Sequence, residues 1–548
     1  MTSLKNFVVA AAIFAAAPAV AAPPVKPPKL VVTVVIDQLR ASELSRLGPQ
    51  LTGGFRRLLS SGAVFDGHYG HQNTYTGPGH ALVLSGSYGY LNGIVQNKWF
   101  NRATNRSEGM LYDADSRPLA GGEVGPGEET SPRNFNGSTV GDELRLASAM
   151  GSKSVAVALK ERGAILLGGR TGTAWFFLES VGEMTTGSYY MKEVPSWVTA
   201  WNAKKLPEQA FGKSWTRSLP VGAYVKSGVD DSPYEMTTLG LGKTFPHPVT
   251  GGEQKPGAKF YEAFTMTPFG LDYELEFARA AVEGEQLGQR GVTDLLAISV
   301  SSTDLVGHTF GAYSHERQDI LLRTDRALGS LFTWLDGKLG KDQYWVVLTA
   351  DHGASMPPEQ AAAFGLGGVR GKKAAIKAAI DAALVARYGA GEWVLGLEDP
   401  SVYLNWKLMA DKKLDHSEVE DTVATAVMAL PGFVAAYTRT QLLRGWLPPT
   451  KAARAVAQSY FPARSGDVIA VQAPFSYWGK YGEAPAGGSH GSFYRYDTDV
   501  PLVFAGAPFA PGYHGQAEMV DLAATLAHVL GITPPAACEG EPLLKALR

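Results

Sequence analysis

The sequence predicts an α/β fold, with a mostly parallel central sheet sandwiched between helices. Two observations predict it: short apolar runs of strand length recur along the chain, and helical patterns fall between them. The runs are LVVTVVI (30–36), KSVAVAL (153–159), DLLAISV (294–300), YWVVLTA (344–350) and VPLVFAG (500–506). Because these runs are continuously apolar rather than alternating, they are typical of parallel strands that are buried on both faces.

Two segments carry the clearest helical patterns. One follows Ser314 and covers residues 315–339, and the other covers residues 519–531 near the end of the chain. Two longer regions, about 178–290 and about 355–485, interrupt the alternation of strands and helices. We interpret both regions as insertions that build a cap over the functional site.

The N-terminus resembles an export signal. Residues 1–21 combine Lys5, an apolar stretch and a small-residue Ala19-Val20-Ala21 site, which is the pattern of a cleaved secretory signal peptide. The apolar stretch is shorter than the roughly 20 residues that a spanning helix needs, so we expect no stable membrane anchor. Residues 22–29 then form a Pro/Lys linker, and the mature protein is expected to be periplasmic or secreted.

Composition gives no reason to expect a nucleic-acid partner and excludes an intrachain disulfide. The chain has 50 Lys+Arg against 52 Asp+Glu, so no excess of positive charge favours a nucleic-acid partner. Cys538 is the single cysteine of the sequence, so an intrachain disulfide is impossible.

Acids and imidazoles follow several of the predicted strands. Ligands of such sheets gather at the carboxyl ends of the strands, and carboxylate and imidazole are ligands that zinc accepts. Taken singly, an acid after a strand is often a helix N-cap and an isolated histidine is often a surface residue. Taken together, the residues predict a metal site. They are Asp37, Asp304, His308 four residues later, the adjacent Asp351 and His352, and His490 in the loop GGSHGS.

The stretch NTYTGPGHALVLSG, residues 73–86, predicts the start of a helix. Its glycines permit a close approach of the backbone, and a helix N-terminus attracts anions. From the residues alone, Thr76 is either a cap or a group that reacts with a bound anion.

Five motifs, in this order along the chain, resemble those of the alkaline phosphatase superfamily: TYTGPGH, NKWF, STDLVGH, TADHG and GGSHG. They are most similar to the monomeric, threonine-nucleophile, phosphate-irrepressible bacterial alkaline phosphatases. The resemblance implies one catalytic domain over residues 30–548, carrying the two cap insertions, and a monomeric protein. It also implies two zinc ions, one held by Asp304, His308 and His490, and the other by Asp37, Asp351, His352 and the Thr76 oxygen.

The same resemblance implies the reaction. Thr76 is then the nucleophile that forms a covalent phosphothreonine, and Asn97, Lys160 and Arg162 bind the phosphoryl oxygens. On spacing alone, a solvated surface is the better explanation of Asn97 and of the Lys-x-Arg pair, and the resemblance reverses that interpretation. Two extra cations favour a dianionic monoester over a singly charged diester. The expected substrates are therefore small-molecule phosphate monoesters.

Two other functions stay open. A nucleotide pyrophosphatase or phosphodiesterase of the same superfamily would share Thr76, Asn97 and the metals but is expected to lack the Lys-x-Arg pair. A secreted metal- or phosphate-binding protein without turnover would share the ligand motifs alone.

Overall fold

The computed structural model describes residues 26–119 and 127–548. The predicted signal peptide, residues 1–21, and residues 22–25 of the predicted linker lie outside the described residues. Within the described ranges, no helix is both long enough and apolar enough to cross a membrane.

The described residues form seventeen strands. In chain order they are β1 (Leu30–Ile36), β2 (Ala63–His68), β3 (Lys98–Asn101), β4 (Arg106–Gly109), β5 (Ser154–Ala158), β6 (Thr173–Leu178), β7 (Glu183–Thr185), β8 (Ser214–Trp215), β9 (His247–Pro248), β10 (Asp294–Val300), β11 (Tyr344–Thr349), β12 (Val394–Glu398), β13 (Ser401–Leu404), β14 (Phe433–Thr438), β15 (Val468–Gln472), β16 (Asp499–Ala505) and β17 (Gly512–Glu518).

The same residues form twenty α-helices. In chain order they are α1 (Ala41–Leu47), α2 (Gly54–Ser61), α3 (Thr76–Val83), α4 (Gly89–Asn92), α5 (Val140–Ala147), α6 (Glu161–Gly168), α7 (Ser196–Asn202), α8 (Ala258–Thr265), α9 (Pro268–Gly284), α10 (Ser302–Phe310), α11 (His315–Leu339), α12 (Pro358–Ala363), α13 (Lys373–Tyr388), α14 (Trp406–Asp411), α15 (His416–Met428), α16 (Arg439–Arg444), α17 (Lys451–Gln458), α18 (Gly479–Glu483), α19 (Arg495–Thr498) and α20 (Asp521–Leu530).

Nine strands form one large sheet, in the order β17-β2-β16-β11-β1-β10-β5-β6-β7. All of its strands except β16 and β7 run in the same direction. The predicted α/β fold with a mostly parallel sheet is therefore confirmed. The two predicted helices correspond to α11 and α20.

All five predicted strands lie in this sheet, but the direction of one was wrong. The run at residues 500–506 belongs to β16, which pairs antiparallel with both β11 and β2. Its central residues Val500, Leu502 and Phe504 are fully buried. A continuous apolar run reports burial on both faces, and burial does not fix the direction of a strand.

Helices cover both faces of the sheet, as strand β6 illustrates. Phe176 packs in a cluster that contains Ala81 of α3 and Ile165 of α6. Its neighbour Trp175 packs instead against Phe277 of α9, with ring centroids 6.1 Å apart. Because successive side chains of a strand point to opposite faces, α3 and α6 lie on one face and α9 lies on the other.

A second, four-stranded antiparallel sheet lies within the region 355–485. Its order is β12-β13-β15-β14, and helices α13 and α15 pack on it around a separate apolar core. The other long region, 178–290, contributes α9 directly to the layer that covers β5 and β10.

Candidate active site

The sheet brings its acidic residues to one edge. Strands β11, β1 and β10 are neighbours and run parallel, so their carboxyl ends coincide. Asp37 follows β1 directly, Asp351 and His352 follow β11, and α10 begins two residues after β10. These acidic residues therefore meet at the carboxyl ends of the parallel strands, where ligands of such sheets bind.

Three side chains form a first ligand cluster. The Nε2 atom of His308 lies 3.2 Å from Oδ1 of Asp304, one helical turn earlier on α10. The Nε2 atom of His490 lies 3.3 Å from Nε2 of His308 and 3.6 Å from the same Asp304 oxygen. All three ligand atoms therefore converge on one point.

Backbone carbonyls fix the orientation of both imidazoles in this first cluster. Nδ1 of His308 lies 2.9 Å from the carbonyl oxygen of Gly488, and Nδ1 of His490 lies 2.7 Å from that of Thr74. Since a carbonyl only accepts, each Nδ1 carries the proton and each Nε2 presents a lone pair. This tautomer is the one that a metal ligand needs.

A second cluster surrounds His352. Its Nε2 atom lies 3.5 Å from Oδ1 of Asp37, 3.2 Å from Oδ2 of Asp351 and 3.5 Å from the Thr76 hydroxyl oxygen. Its Nδ1 donates to the Gly353 carbonyl at 2.8 Å, which again leaves Nε2 free to act as a ligand. The adjacent Asp351 and His352 thus face one point rather than two.

The two clusters touch each other. The rings of His352 and His490 stack with centroids 3.5 Å apart, and the ligand atoms of Asp304, His352 and His490 lie within 4.8 Å of one another. The Lys160 ammonium donates to Oδ2 of Asp37 at 2.7 Å and also to Oδ2 of Asp304. Lys160 therefore joins one carboxylate of each cluster.

The three carboxylates of the site are deeply buried, but attraction by His308 and His352 holds the pKa of Asp304 and Asp351, respectively, well below the ordinary value. Asp37, Asp304 and Asp351 are at most 2% exposed. Burial, followed by repulsion from Asp304 and Asp351, raises the pKa of Asp37 to about 7. Within the described residues, Asp37 Oδ1 and Asp351 Oδ2 are buried without a hydrogen bond. Buried, unsatisfied carboxylates beside free imidazole lone pairs fit divalent cations.

Thr76 is the first residue of α3 and is 2% exposed. Tyr75 occupies the N-cap position, so the structure does not place Thr76 in a capping role. A Cβ atom on Gly79 would lie 2.2 Å from the carbonyl oxygen of Asp351, so α3 can approach the second cluster only with glycine there.

Asn97 and Arg162 lie beside Thr76 on the wall of a cavity of about 700 Å³. The Gly77 N–H donates to Oδ1 of Asn97 at 2.8 Å, which turns the amide NH2 of Asn97 away from α3. Lys160 is buried at the base of the site, 7% exposed, and Arg162 is half-buried. The structure thus brings together every residue that the sequence analysis assigned to the site.

Gln38 was missed by the sequence analysis, although it contacts both clusters. Its side-chain amide donates to Asp304 Oδ1 at 2.6 Å, and its backbone N–H donates to Asp351 Oδ1 at 3.1 Å. Its backbone is left-handed, with a φ of 70°. No pattern in the sequence marks such a residue, apart from its position next to Asp37.

The outer wall of the cavity was also missed. It is formed by residues of the region 355–485, and the ring of Tyr481 stacks on His308 with centroids 4.2 Å apart. These wall residues are Lys373, Glu398, Asp399, Trp478, Gly479, Lys480, Tyr481 and Glu483.

Comparisons with known proteins show which family the chain belongs to. Residues 31–493 match the family described as type I phosphodiesterase/nucleotide pyrophosphatase. The chain is 34% identical over 535 residues to alkaline phosphatase PafA of Elizabethkingia meningoseptica, covering 95% of this chain and 94% of that protein. It is 33% identical over 555 residues to a Myroides odoratus protein named calcium-transporting ATPase, covering all of both chains.

The fold is similar to a crystal structure of wild-type PafA. The TM-score is 0.86 at 32% identity, covering 96% of this chain and 100% of that one. A PafA variant with one threonine, one asparagine, one lysine and one arginine replaced matches equally well. The chain therefore belongs to the type I phosphodiesterase/nucleotide pyrophosphatase family, within the alkaline phosphatase superfamily.

Proposed function

We propose that the protein is a two-zinc alkaline phosphatase that hydrolyses phosphate monoesters through a covalent phosphothreonine at Thr76. The observation that carries this proposal is that the Thr76 hydroxyl lies 3.5 Å from Nε2 of His352 and shares one cavity with Asn97, His308 and His490. The names of several relatives, alkaline phosphatases at about one-third identity, support phosphatase activity.

The residues that would hold the ions follow from the two clusters. Asp304, His308 and His490 would bind one zinc ion, and Asp37, Asp351, His352 and Thr76 the other. When bound, the ions supply the positive charge that lowers the pKa of the Thr76 hydroxyl and stabilises the departing oxygen. The two buried carboxylate oxygens without hydrogen bonds support this assignment.

The chain's own residues then carry out the transfer. The deprotonated Thr76 oxygen attacks phosphorus, the ester P–O bond breaks, and the leaving group departs as an alkoxide with that electron pair and takes a proton from water. Water attacks the phosphothreonine in a second step, which frees Thr76 and releases phosphate. The Asn97 NH2 group, directed away from α3, donates to a non-bridging oxygen and holds phosphorus in line.

Lys160 and Arg162 favour a monoester over a diester. A monoester brings a dianionic phosphoryl group with three unesterified oxygens, whereas a diester brings one negative charge. The family description makes phosphodiesterase the second candidate function. Arg162, which lines the cavity, and Lys160, which lies against Asp37 and Asp304, add attraction for the more highly charged substrate.

Rates on a monoester and a diester that share one leaving group separate the two functions. Nitrophenyl phosphate and bis(nitrophenyl) phosphate serve for this purpose. Because each charge-assisted hydrogen bond contributes about 1.5–3 kcal/mol, we expect Lys160→Ala with Arg162→Ala to cost roughly 10²- to 10⁴-fold in monoesterase kcat/KM. The diesterase rate should fall far less.

Two controls accompany this comparison. Lys153→Ala removes a lysine that pairs with Glu285 and lies outside the cavity, and it should leave both rates unchanged. The single variant Arg162→Ala keeps the contacts of Lys160 with Asp37 and Asp304. It therefore separates the loss of a phosphoryl-binding cation from a disturbance of these two acids. Equal losses on both substrates would contradict the monoesterase assignment.

We also propose how the chain is organised and where it acts. Residues 1–21 are a signal peptide and residues 22–29 are a linker. Residues 30–548 are one catalytic domain that acts as a monomer in the periplasm or outside the cell. The outer wall of the cavity supports a covering role for the region 355–485.

A further inference from the structure

The cavity around Thr76 has room for much more than a phosphoryl group. Its volume is about 700 Å³, and it extends from Thr76 to the wall that the region 355–485 provides. A substrate whose phosphoryl group lies at Thr76 therefore places its leaving group against this wall.

The wall lies on the side from which the leaving group departs. Under the proposed function, the cluster of Asp304, His308 and His490 faces the departing oxygen. Tyr481 stacks on His308, and the Lys480 ammonium lies 5.4 Å from the centroid of the Tyr481 ring. The Tyr481 ring thus lies between Lys480 and His308, a member of the cluster that faces the departing oxygen.

Lys480 and Lys98 carry positive charge that this wall does not neutralise. The acids Glu398 and Glu483 are engaged by the neighbouring Lys373 and Lys372. Among residues 26–119 and 127–548, neither Lys480 nor Lys98 has a carboxylate partner in an ion pair. Both lysines line the cavity and are partly exposed to solvent.

Charged groups of the site act on Lys480. Partial burial, followed by repulsion from Arg162, lowers the pKa of Lys480, while attraction by Asp304 opposes that shift. Burial also raises the pKa of Asp399, another residue of the wall, to about 8, so at neutral pH this carboxyl offsets the lysines less than an ordinary aspartate would.

We propose that Lys480, with Lys98, forms a subsite for an anionic group on the leaving alcohol. The preferred substrates are then monoesters whose leaving group carries a second negative charge, in the form of a carboxylate or a second phosphoryl group. This inference depends on the proposed function and adds the substrate class to it.

A matched pair of substrates tests the inference. Carboxyphenyl phosphate and carbamoylphenyl phosphate have similar shapes, and only the first carries a charge on its leaving group. Because a partly exposed charge pair contributes up to about 1 kcal/mol, we expect the wild-type zinc enzyme to prefer the carboxylate about fivefold in kcat/KM. The preference should shrink as ionic strength rises.

Four variants complete the design. Lys480→Gln and Lys98→Gln should each reduce the preference, and Lys480→Arg should keep it. Lys407→Gln, which removes an exposed lysine that pairs with Asp411, is the matched control and should change nothing. Adding phosphoglycerol monoesters with and without a second phosphoryl group tests the phosphate form of the same anion.

Each outcome bears on one claim. An identical ratio in the wild type and in both glutamine variants overturns the subsite and leaves the phosphatase assignment intact. An equal loss on charged and uncharged substrates means that Lys480 binds the transferred phosphoryl group, which also overturns the subsite. If neither substrate is hydrolysed, the proposed function itself is wrong.

Discussion

Replacing Glu43 by glutamine takes away the negative charge that faces the buried guanidinium of Arg317. Both side chains are 1% exposed, and Arg317 binds the carboxylate through Nε at 2.9 Å and Nη2 at 2.8 Å. The same guanidinium donates to the carbonyl oxygens of Gln38 and Thr303, each at 2.6 Å. These two residues adjoin Asp37 and Asp304, so the ion pair supports both ligand-bearing turns.

The pKa of Glu43 sets the size of the effect. Burial alone would raise it, but Arg317, and then Arg40 and Arg46, lower it from 4.5 to about 2. A depressed pKa contributes stability that is fully present above the unfolded value and is lost as the pH falls toward the folded value. A shift of 2.5 units corresponds to about 3.4 kcal/mol, of which about 0.8 kcal/mol is lost by pH 4.

Unfolding by guanidinium chloride at pH 7 and at pH 4 measures the contribution of the Glu43–Arg317 pair to the free energy of unfolding. A chelator is present at both pH values, so that loss of bound metal on acidification does not affect the result. At pH 7, we expect Glu43→Gln to lower the free energy of unfolding by about 3 kcal/mol, because it leaves a buried cation unpaired. At pH 4, the gap between the wild type and the variant should be about 0.8 kcal/mol smaller.

A surface variant provides the control for this experiment. Glu276→Gln removes an exposed carboxylate that pairs with Arg279 and should change neither value by more than about 0.5 kcal/mol. A gap that stays constant or grows on acidification would refute the reasoning about the Glu43–Arg317 pair.

Two further predictions concern the metals. Gln38→Ala removes the donor to Asp304 Oδ1, so zinc affinity should fall about tenfold to a hundredfold, as measured by competition with a fluorescent chelator; an unchanged affinity would exclude this role. Removing the metal with a chelator should abolish hydrolysis of nitrophenyl phosphate and lower the Tm, and zinc should restore both; persistent activity in verified metal-free protein would contradict a metal-dependent reaction.

Much of the fold could be predicted because buried strands are visible in the sequence as short runs of apolar residues. The runs at 30–36 and 294–300 match their strands residue for residue, since both strands are fully buried. The edge strand β17, GYHGQAE, is polar and mostly exposed, so it left no such signal. Pairing direction depends on distant partners, which explains the error for β16.

The candidate site was accessible to sequence reasoning for a topological reason. Asp37 and Asp351 follow β1 and β11, and because these strands are parallel neighbours the two residues lie close together at one edge of the sheet. Lys480 and Tyr481 could not be found in the same way, because they lie on α18, outside the large sheet whose strand ends carry the ligands. The contacts of Gln38 depend on one left-handed backbone angle, which a glutamine does not signal.

The central claim is that the Thr76 hydroxyl becomes the attacking group. It is tested most directly by quenching the zinc enzyme with acid during turnover of a phosphate monoester and analysing its peptides by mass spectrometry. The account predicts the added mass of one phosphoryl group on the peptide that contains Thr76, and none in Thr76→Ala. A phosphoryl group on a different residue, or full turnover by Thr76→Ala, would contradict it.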